Sequence, residues 1–385
     1  MKSKSITIVT SYPLHDEPVV RNRLTPLIQE ATNRELYITL ISPDTKQFDI
    51  CGTRHFQHIP VVIPLRSNTS FMKRGLFEWI NAIKLINVAK KQNTDFIFIT
   101  IPSMFLLFCS LKIKREKLLL DVRDLSWEYL SSSKRPIRFI KKAFTLIAKF
   151  TLQRAMIVTV TNDTELKKAL TQYKISKNRL MKLSNGISSK QFQSLSTATA
   201  TDAKARPFTV SYIGNIGLAQ NLITLIDAAK KLQNFRFFIV GSGTDYNRIQ
   251  RYIDSNELKN VILLGRIPWE KTPLIYANSD VLYAQLTKDF SGAMPSKLYE
   301  YLSTGKHIIY GGGGQAKETL EKFENKTIIP AENASLLISV LKEIKENEYH
   351  LTLSLKNRNC IQEQFLRETH IAIFLKKLEE LTNSE

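Results

Sequence analysis

The sequence predicts an α/β protein of two doubly wound domains, and three observations predict it. Strand-like apolar runs alternate with helix-like segments along most of the chain. Such alternation marks parallel sheets covered by helices on both faces. The alternation breaks once, across residues 188–206, where Ser194-Leu-Ser-Thr-Ala-Thr-Ala-Thr201 is small and polar and reads as a linker. A chain of 385 residues is also long enough to bury two full cores.

Taken in order, residues 6–10 read as a buried strand, followed by a polar loop at 11–18 and a helix over 20–32. Residues 36–42 are a strand and 71–92 a long basic helix, with Leu76, Trp79, Ile80, Ile83, Ile86 and Val88 on or near one face. The longest apolar run, 96–111, contains Pro102 and is short for a membrane span, so it reads as a buried strand running into a helix. Strands at 118–121, 156–161 and 180–183 alternate with helices at 137–152 and 163–170. After the linker come strands at 208–213, 235–240, 261–264, 279–286 and 307–310, and helices at 221–232, 245–255 and 272–277. A further helix opens at Pro295, and a helical region begins near Ala334. The expected domains are 1–190 and 207–358, joined by a linker at 191–206, with a C-terminal helix in 359–385 packing back on the first. Ligands of such sheets sit outside the carboxyl ends of the strands, which makes the cleft between the domains the expected site.

Charge divides the chain unevenly. The net charge is +20, and residues 1–200 hold 32 Lys+Arg against 14 Asp+Glu, whereas 201–385 hold 23 against 21. The first half therefore suits an anionic partner, either nucleic acid or a membrane surface. Cys51, Cys109 and Cys360 are scattered and form no C-x-x-C pair, which fits a reducing cytoplasm. The N-terminus reads as a polar tail entering a strand rather than a signal peptide.

The densest chemistry lies at Met294-Pro295-Ser296-Lys297-Leu298-Tyr299-Glu300. Proline suits a first helical turn because it has no N–H to lose there. Free N–H groups at a helix start attract anions, and Lys297 adds a full positive charge. Glu300, one turn on, can face the same cavity. A phosphate receptor beside a carboxylate suits a nucleotide-sugar, with diphosphate on the helix start and ribose on the glutamate. Three more loops leave strand ends in series: Gly214-Asn215-Ile216-Gly217-Leu218-Ala219-Gln220, Gly241-Ser242-Gly243 and Gly265-Arg266-Ile267-Pro268. Each alone is an ordinary structural turn. Together with the helix start they converge on one face, where glycine lets a ligand approach the backbone.

That series resembles family-four glycosyltransferases, which have the GT-B fold of two Rossmann-like domains facing each other across a cleft. The resemblance runs over GNIG, VGSG, LGRIP, PSKLYEYLSTGK and GGGG in order, with support from Asp121-Val-Arg-Asp-Leu-Ser-Trp127, Val158-Thr-Val-Thr-Asn-Asp163 and Leu183-Ser-Asn-Gly-Ile187. The variant is similar to bacterial O-antigen and capsule enzymes of the N-acetylfucosamine transferase type. The resemblance implies a metal-independent, retaining hexosyl transfer from a nucleoside-diphosphate sugar, with no cofactor. It places the base at Arg266 and Ile267, the ribose on Glu300, the diphosphate on the Lys297 side chain and the backbone amides in the stretch Met294–Ser296, with Pro295 and Leu298 also among the donor-binding residues, and the distal phosphate near Gly214–Gly217. Two departures stand out. Positions that carry phosphate-binding arginine and lysine in many members are Asn215 and Gln220 here, and a glutamate expected eight residues before Glu300 is Gly292. Lys297 can supply the missing charge.

In the first domain, His15, Asp16, Arg21 and Arg23 follow the first strand and can touch donor phosphates or acceptor; the alternative is a solvated loop with surface arginines. Arg123 and Asp124 follow the expected strand that begins at Leu118, where the resemblance expects a group facing the donor sugar. Asp124 is the candidate catalytic contact alongside Lys297 and Glu300, and its rival role is to cap the next helix. No Asp-x-Asp and no metal-ligand spacing of histidines occurs, so no metal is expected. The basic amphipathic segment 134–150 suits anionic lipid; the alternative is a core helix with a solvated basic face.

The resulting expectation is a glycosyltransferase on the inner face of the plasma membrane. It would use a nucleotide-sugar donor, expected to be UDP-linked, and a lipid-linked saccharide acceptor. Its rivals are a GT-B sugar-nucleotide epimerase, for which no flanking acid–base pair is found, and a non-catalytic nucleotide-binding scaffold. Nucleic-acid binding lacks an aromatic-interleaved basic motif.

Overall fold

The computed structural model describes residues 4–15, 18–50, 54–63, 71–101, 104–123, 135–198 and 206–382. The chain forms two compact units, Met1–Asn185 with Arg367–Glu385, and Gly186–Leu366.

The first unit holds a seven-stranded sheet in the order β3-β2-β1-β4-β5-β6-β7, with every pairing parallel. The strands are β1 Ser5–Val9, β2 Tyr37–Ser42, β3 Phe56–Pro60, β4 Phe96–Ile101, β5 Leu118–Val122, β6 Ile157–Val160 and β7 Leu180–Lys182. Period-two side-chain alternation feeds two cores. In β4, Ile97, Ile99 and Ile101 face one cluster with Leu85 and Ile86 of the Phe71–Lys90 helix. Phe96 and Phe98 face the other, with Leu24, Leu27 and Ile28 of the Pro18–Asn33 helix. The Arg367–Thr382 helix completes this second cluster through Ile371, Phe374, Leu375 and Leu378.

Alternation also explains a buried charge. Asp121 shares its face of β5 with Leu119, toward the Pro18–Asn33 helix that carries Arg23. Arg23 Nε donates to Asp121 Oδ2 at 2.8 Å, and Thr100 and Thr159 hydroxyls donate to the same carboxylate at 2.9 and 2.7 Å. Burial alone would raise the Asp121 pKa. The Arg23 charge and the hydrogen bonds from Arg23 and Thr159 instead hold it below the usual carboxylate range.

The second unit holds a six-stranded parallel sheet in the order β10-β9-β8-β11-β12-β13. Its strands are β8 Phe208–Ile213, β9 Phe235–Val240, β10 Val261–Gly265, β11 Val281–Gln285, β12 His307–Gly311 and β13 Lys326–Ile329. Strand order reverses between β8 and β11, so the loops after these two strands part around a crevice at the carboxyl edge.

Several elements differ from the sequence reading. Strands β3 and β13 were not anticipated; both are short, and His58 and Lys326 interrupt their apolar pattern. Much of the expected linker is the helix Ser189–Thr197, started by a capping box between Ser188 and Gln191. Phe192 and buried Leu195 anchor it in the second unit, three residues apart on one helical face, and residues 199–205 lie outside the described residues. The seam at the other end falls before Arg367, so the Leu355–Gln364 helix, with buried Ile361, lies in the second unit. In the Phe71–Lys90 helix the core face is Ala82, Leu85, Ile86 and Ala89, while Leu76, Trp79 and Ile80 are exposed.

His307, buried at the start of β12, bonds Thr327 Oγ1 through Nε2 at 2.9 Å. Burial, helped by nearby His350, lowers its pKa to about 4. The native state therefore resists protonation that the unfolded chain accepts near pH 6.5. The resulting stability is full above about pH 6.5 and is lost as pH falls toward about 4, by on the order of 3 kcal/mol at the limit. Urea denaturation across that window is expected to show stability falling with acid, and His307→Gln to flatten the slope. An unaltered slope in the variant refutes this.

Candidate functional site

At the carboxyl edge of the second sheet, β8 and β11 pair only at Val210–Val281 and Ser211–Leu282. Beyond that they separate, and the Tyr301 hydroxyl fills the gap. It accepts the Ile213 N–H at 2.8 Å and lies 3.2 Å from the carbonyls of Ile213 and Tyr283. Full burial raises the Tyr301 pKa well above 10, so the group stays a neutral donor and acceptor.

The helix behind this gap is Lys297–Thr304, starting two residues later than expected, with its first turn wound by the Leu298 N–H on the Pro295 carbonyl at 3.1 Å. Among the described residues, no acceptor meets the N–H groups of Met294, Ser296 and Lys297. Lys297 and Glu300 do face one place, but they are spent on each other. Lys297 Nζ lies 2.7 and 2.9 Å from the two Glu300 oxygens, with the lysine side chain 34% exposed and the glutamate 10%. Buried Tyr276 donates its hydroxyl to Glu300 Oε2 at 2.9 Å. Its pKa is pushed far up, first by burial and then by the Glu300 charge. Tyr276 was missed by sequence reasoning, because nothing in the 272–277 helix marks it as facing Glu300. Ile267 and Met294 pack on the same apolar cluster as Tyr276 and Leu298, and Arg266 is exposed.

The glycine loops interlock. The Gly214 N–H bonds the Val240 carbonyl, Ile216 N–H the Ser242 carbonyl, and Gly241 N–H the Gly265 carbonyl. A Cβ on Gly241 would stand 1.8 Å from the Gly214 carbonyl oxygen, and one on Gly243 2.2 Å from that of Ile216. Gly241 is thus required by a neighbouring loop, a different reason from the ligand approach first inferred. Asn215 and Gln220 bond each other at 3.3 Å, and Gln220 Oε1 also takes the Gly217 N–H at 3.2 Å. After β12, the Ser291 carbonyl accepts the Gln315 N–H at 3.1 Å and seats Gly314, whose φ is +63°. This ties the loop that contains Gly292 to the glycine run.

The first unit's candidates are dispersed. Arg23 is buried on Asp121 and reaches Asn185 Oδ1 at 2.9 Å, so its guanidinium faces the core. Among the described residues, Arg21 reaches the His15 carbonyl, at 3.4 Å. His15 is exposed, with its ring 5.4 Å from Phe48. Arg123 is half-buried, and its charge reaches Asp121. Asp16 and Asp124 lie outside the described residues.

Residues 198–364 match the family of glycosyl transferases group 1. Solved structures share the fold along the whole chain. Sucrose-phosphate synthase from Thermosynechococcus elongatus superposes with TM-score 0.75 at 16% identity, over 99% of this chain and 100% of its own. WaaG, a glycosyltransferase involved in lipopolysaccharide biosynthesis, gives 0.68 at 12%, over 96% and 99%. Anabaena HepE in complex with UDP-glucose gives 0.67 at 16%, over 97% and 99%. No curated protein matches the chain by sequence. The family match lies within the second unit, and the likeness to these structures shows the fold of GT-B glycosyltransferases, two α/β units built on parallel sheets.

Two variants probe this geometry. Tyr276→Phe removes a hydrogen bond to a charged group and is expected to cost about 1.5–3 kcal/mol in denaturant unfolding. Gly241→Ala is expected to cost more, since its Cβ overlaps backbone and its φ is +146°. Wild-type stability in the alanine variant contradicts the interlocked loops.

Proposed function

We propose that this protein transfers a sugar from a UDP-linked donor, with retention and without a metal, to a lipid-linked saccharide in surface-polysaccharide synthesis. The observation that carries the donor reading is the Lys297–Glu300 pair beside the open N–H groups of Met294, Ser296 and Lys297, at the switch point of the sheet. An arriving diphosphate competes for Lys297 and takes the amides. Glu300, still held by Tyr276, then turns its freed lone pairs to ribose hydroxyls. As the sugar leaves, charge grows on the diphosphate, where Lys297 and the fixed amides stabilise it. HepE has been solved with UDP-glucose, and WaaG acts in lipopolysaccharide biosynthesis; both similarities support the choice of donor and pathway.

An acceptor on a membrane is supported by the outward face of the Arg135–Arg154 helix. Phe139, Leu146 and Phe150 are 75%, 70% and 59% exposed, interleaved with Lys142 and Lys149. The opposite face, through Ala148 and Leu152, is in the core. A helix held by its core face has no internal need for large outward apolar groups. Ringed by lysines, they suit an anionic lipid surface. Among the described residues no helix is long and apolar enough to cross a membrane.

The deciding experiment is release of free nucleoside diphosphate from a panel of sugar nucleotides, with and without extract containing lipid-linked saccharides. Release from one donor that depends on extract is expected. No release from any donor, despite nucleotide binding, favours a scaffold. Lys297→Ala is expected to lower turnover by about tenfold or more. Phe139→Ser with Leu146→Ser is expected to abolish co-sedimentation with anionic vesicles; unchanged sedimentation removes this face from membrane binding.

A further inference from the structure

Gln285, at the end of β11, is 2% exposed and has every hydrogen-bonding position filled. Its Nε2 donates to the carbonyls of Gln220 and Asn221 at 2.9 and 3.0 Å and contacts Thr224 Oγ1 at 3.2 Å. Its Oε1 accepts from the Tyr283 hydroxyl and the Glu332 N–H, both at 2.8 Å. One side chain therefore joins the turn after β8, the following helix, β11 itself and the loop after β13. It does so across the gap where β8 and β11 have parted.

The chain of contacts continues on the surface. Asn221, in the left-handed region at φ +34°, donates to Glu332 Oε1 at 2.6 Å and accepts from Arg248 Nη2 at 3.3 Å. Arg248 is fixed by two 2.6 Å bonds to Asp245, whose own N–H donates to the Ile216 carbonyl at 3.0 Å. The path thus returns to the turn it began from. The Thr287 N–H on the Ala219 carbonyl at 2.9 Å adds a second tie. Inside this ring, the N–H groups of Asn215, Leu218 and Ala219 meet no acceptor among the described residues.

We propose that Gln285 and Asn221 are positioning residues that hold the Gly214–Gln220 turn ready to receive the distal phosphate of the donor. The inference rests on the donor reading above. A turn with two glycines loses much backbone freedom when it is ordered. Ordering it before the ligand arrives removes that cost from binding. The ring also offers a reason why Asn215 and Gln220 suffice where a cationic pair was expected: the turn brings fixed N–H dipoles instead of mobile charges.

The test is calorimetric titration of the full chain with UDP and with UMP, which lacks the distal phosphate. The variants are Gln285→Met and Asn221→Gly. The second is exposed to little folding risk, since glycine keeps the left-handed backbone and loses only the side-chain links. Both variants are expected to bind UDP about tenfold more weakly while UMP stays within about twofold. Unchanged UDP affinity overturns the proposal. So does an equal loss for UDP and UMP, which marks general damage rather than a preset turn. Wild-type protein that binds neither nucleotide refutes the donor reading itself, and the proposal falls with it.

Discussion

Strands β8 and β11 part after two paired residues, and the Tyr301 hydroxyl bonds the backbone that the parting exposes. Without a group there, the Ile213 N–H and two carbonyls would be buried unpaired, at about 1–3 kcal/mol each. The parting is what opens the sheet edge. Gln285 spans the same gap one layer higher and fixes the turn above it. The helix that delivers Tyr301 also delivers Lys297 and Glu300, so closing the gap and presenting the charged pair are one act of packing. A sheet without the reversal of strand order would need neither residue and would have no crevice for either to line.

Much of this was legible in the sequence, for identifiable reasons. Long apolar runs such as those of β4, β8 and β9 announce buried parallel strands because both faces must be apolar. The helix start and its Lys297–Glu300 pair were legible because proline, lysine and glutamate sit at fixed offsets along one short segment. What stayed hidden was pairing between distant segments. Nothing local ties Arg23 to Asp121, 98 positions away, so a surface arginine and a buried one look alike. Gly241 read as room for a ligand, whereas the occupant is a carbonyl from a loop 27 residues earlier. The helix at Ser189–Thr197 hid within low-complexity composition, since two apolar anchors suffice when a tertiary surface awaits them.

The first half of the chain carries the excess positive charge, and within it the Arg135–Arg154 helix exposes large apolar residues. Charge alone fits many anionic partners. Large outward apolar groups at helical spacing, set among lysines, suit one that is wet and charged at its boundary and oily beneath. Residues 201–385 are nearly neutral.

The chain leaves the first unit at Asn185 and returns only at Arg367. Phe374, Leu375 and Leu378 of the returning helix are fully part of that unit's core, with Phe374 5.4 Å from Phe98 in ring centroid distance. On a ribosome, then, the amino-terminal sheet emerges first but finishes last. Its apolar floor stays open until the Arg367–Thr382 helix is released, while the later-made unit has its own core in hand. Synthesis order and completion order are reversed, and loss of the Arg367–Thr382 helix would injure the sheet made first.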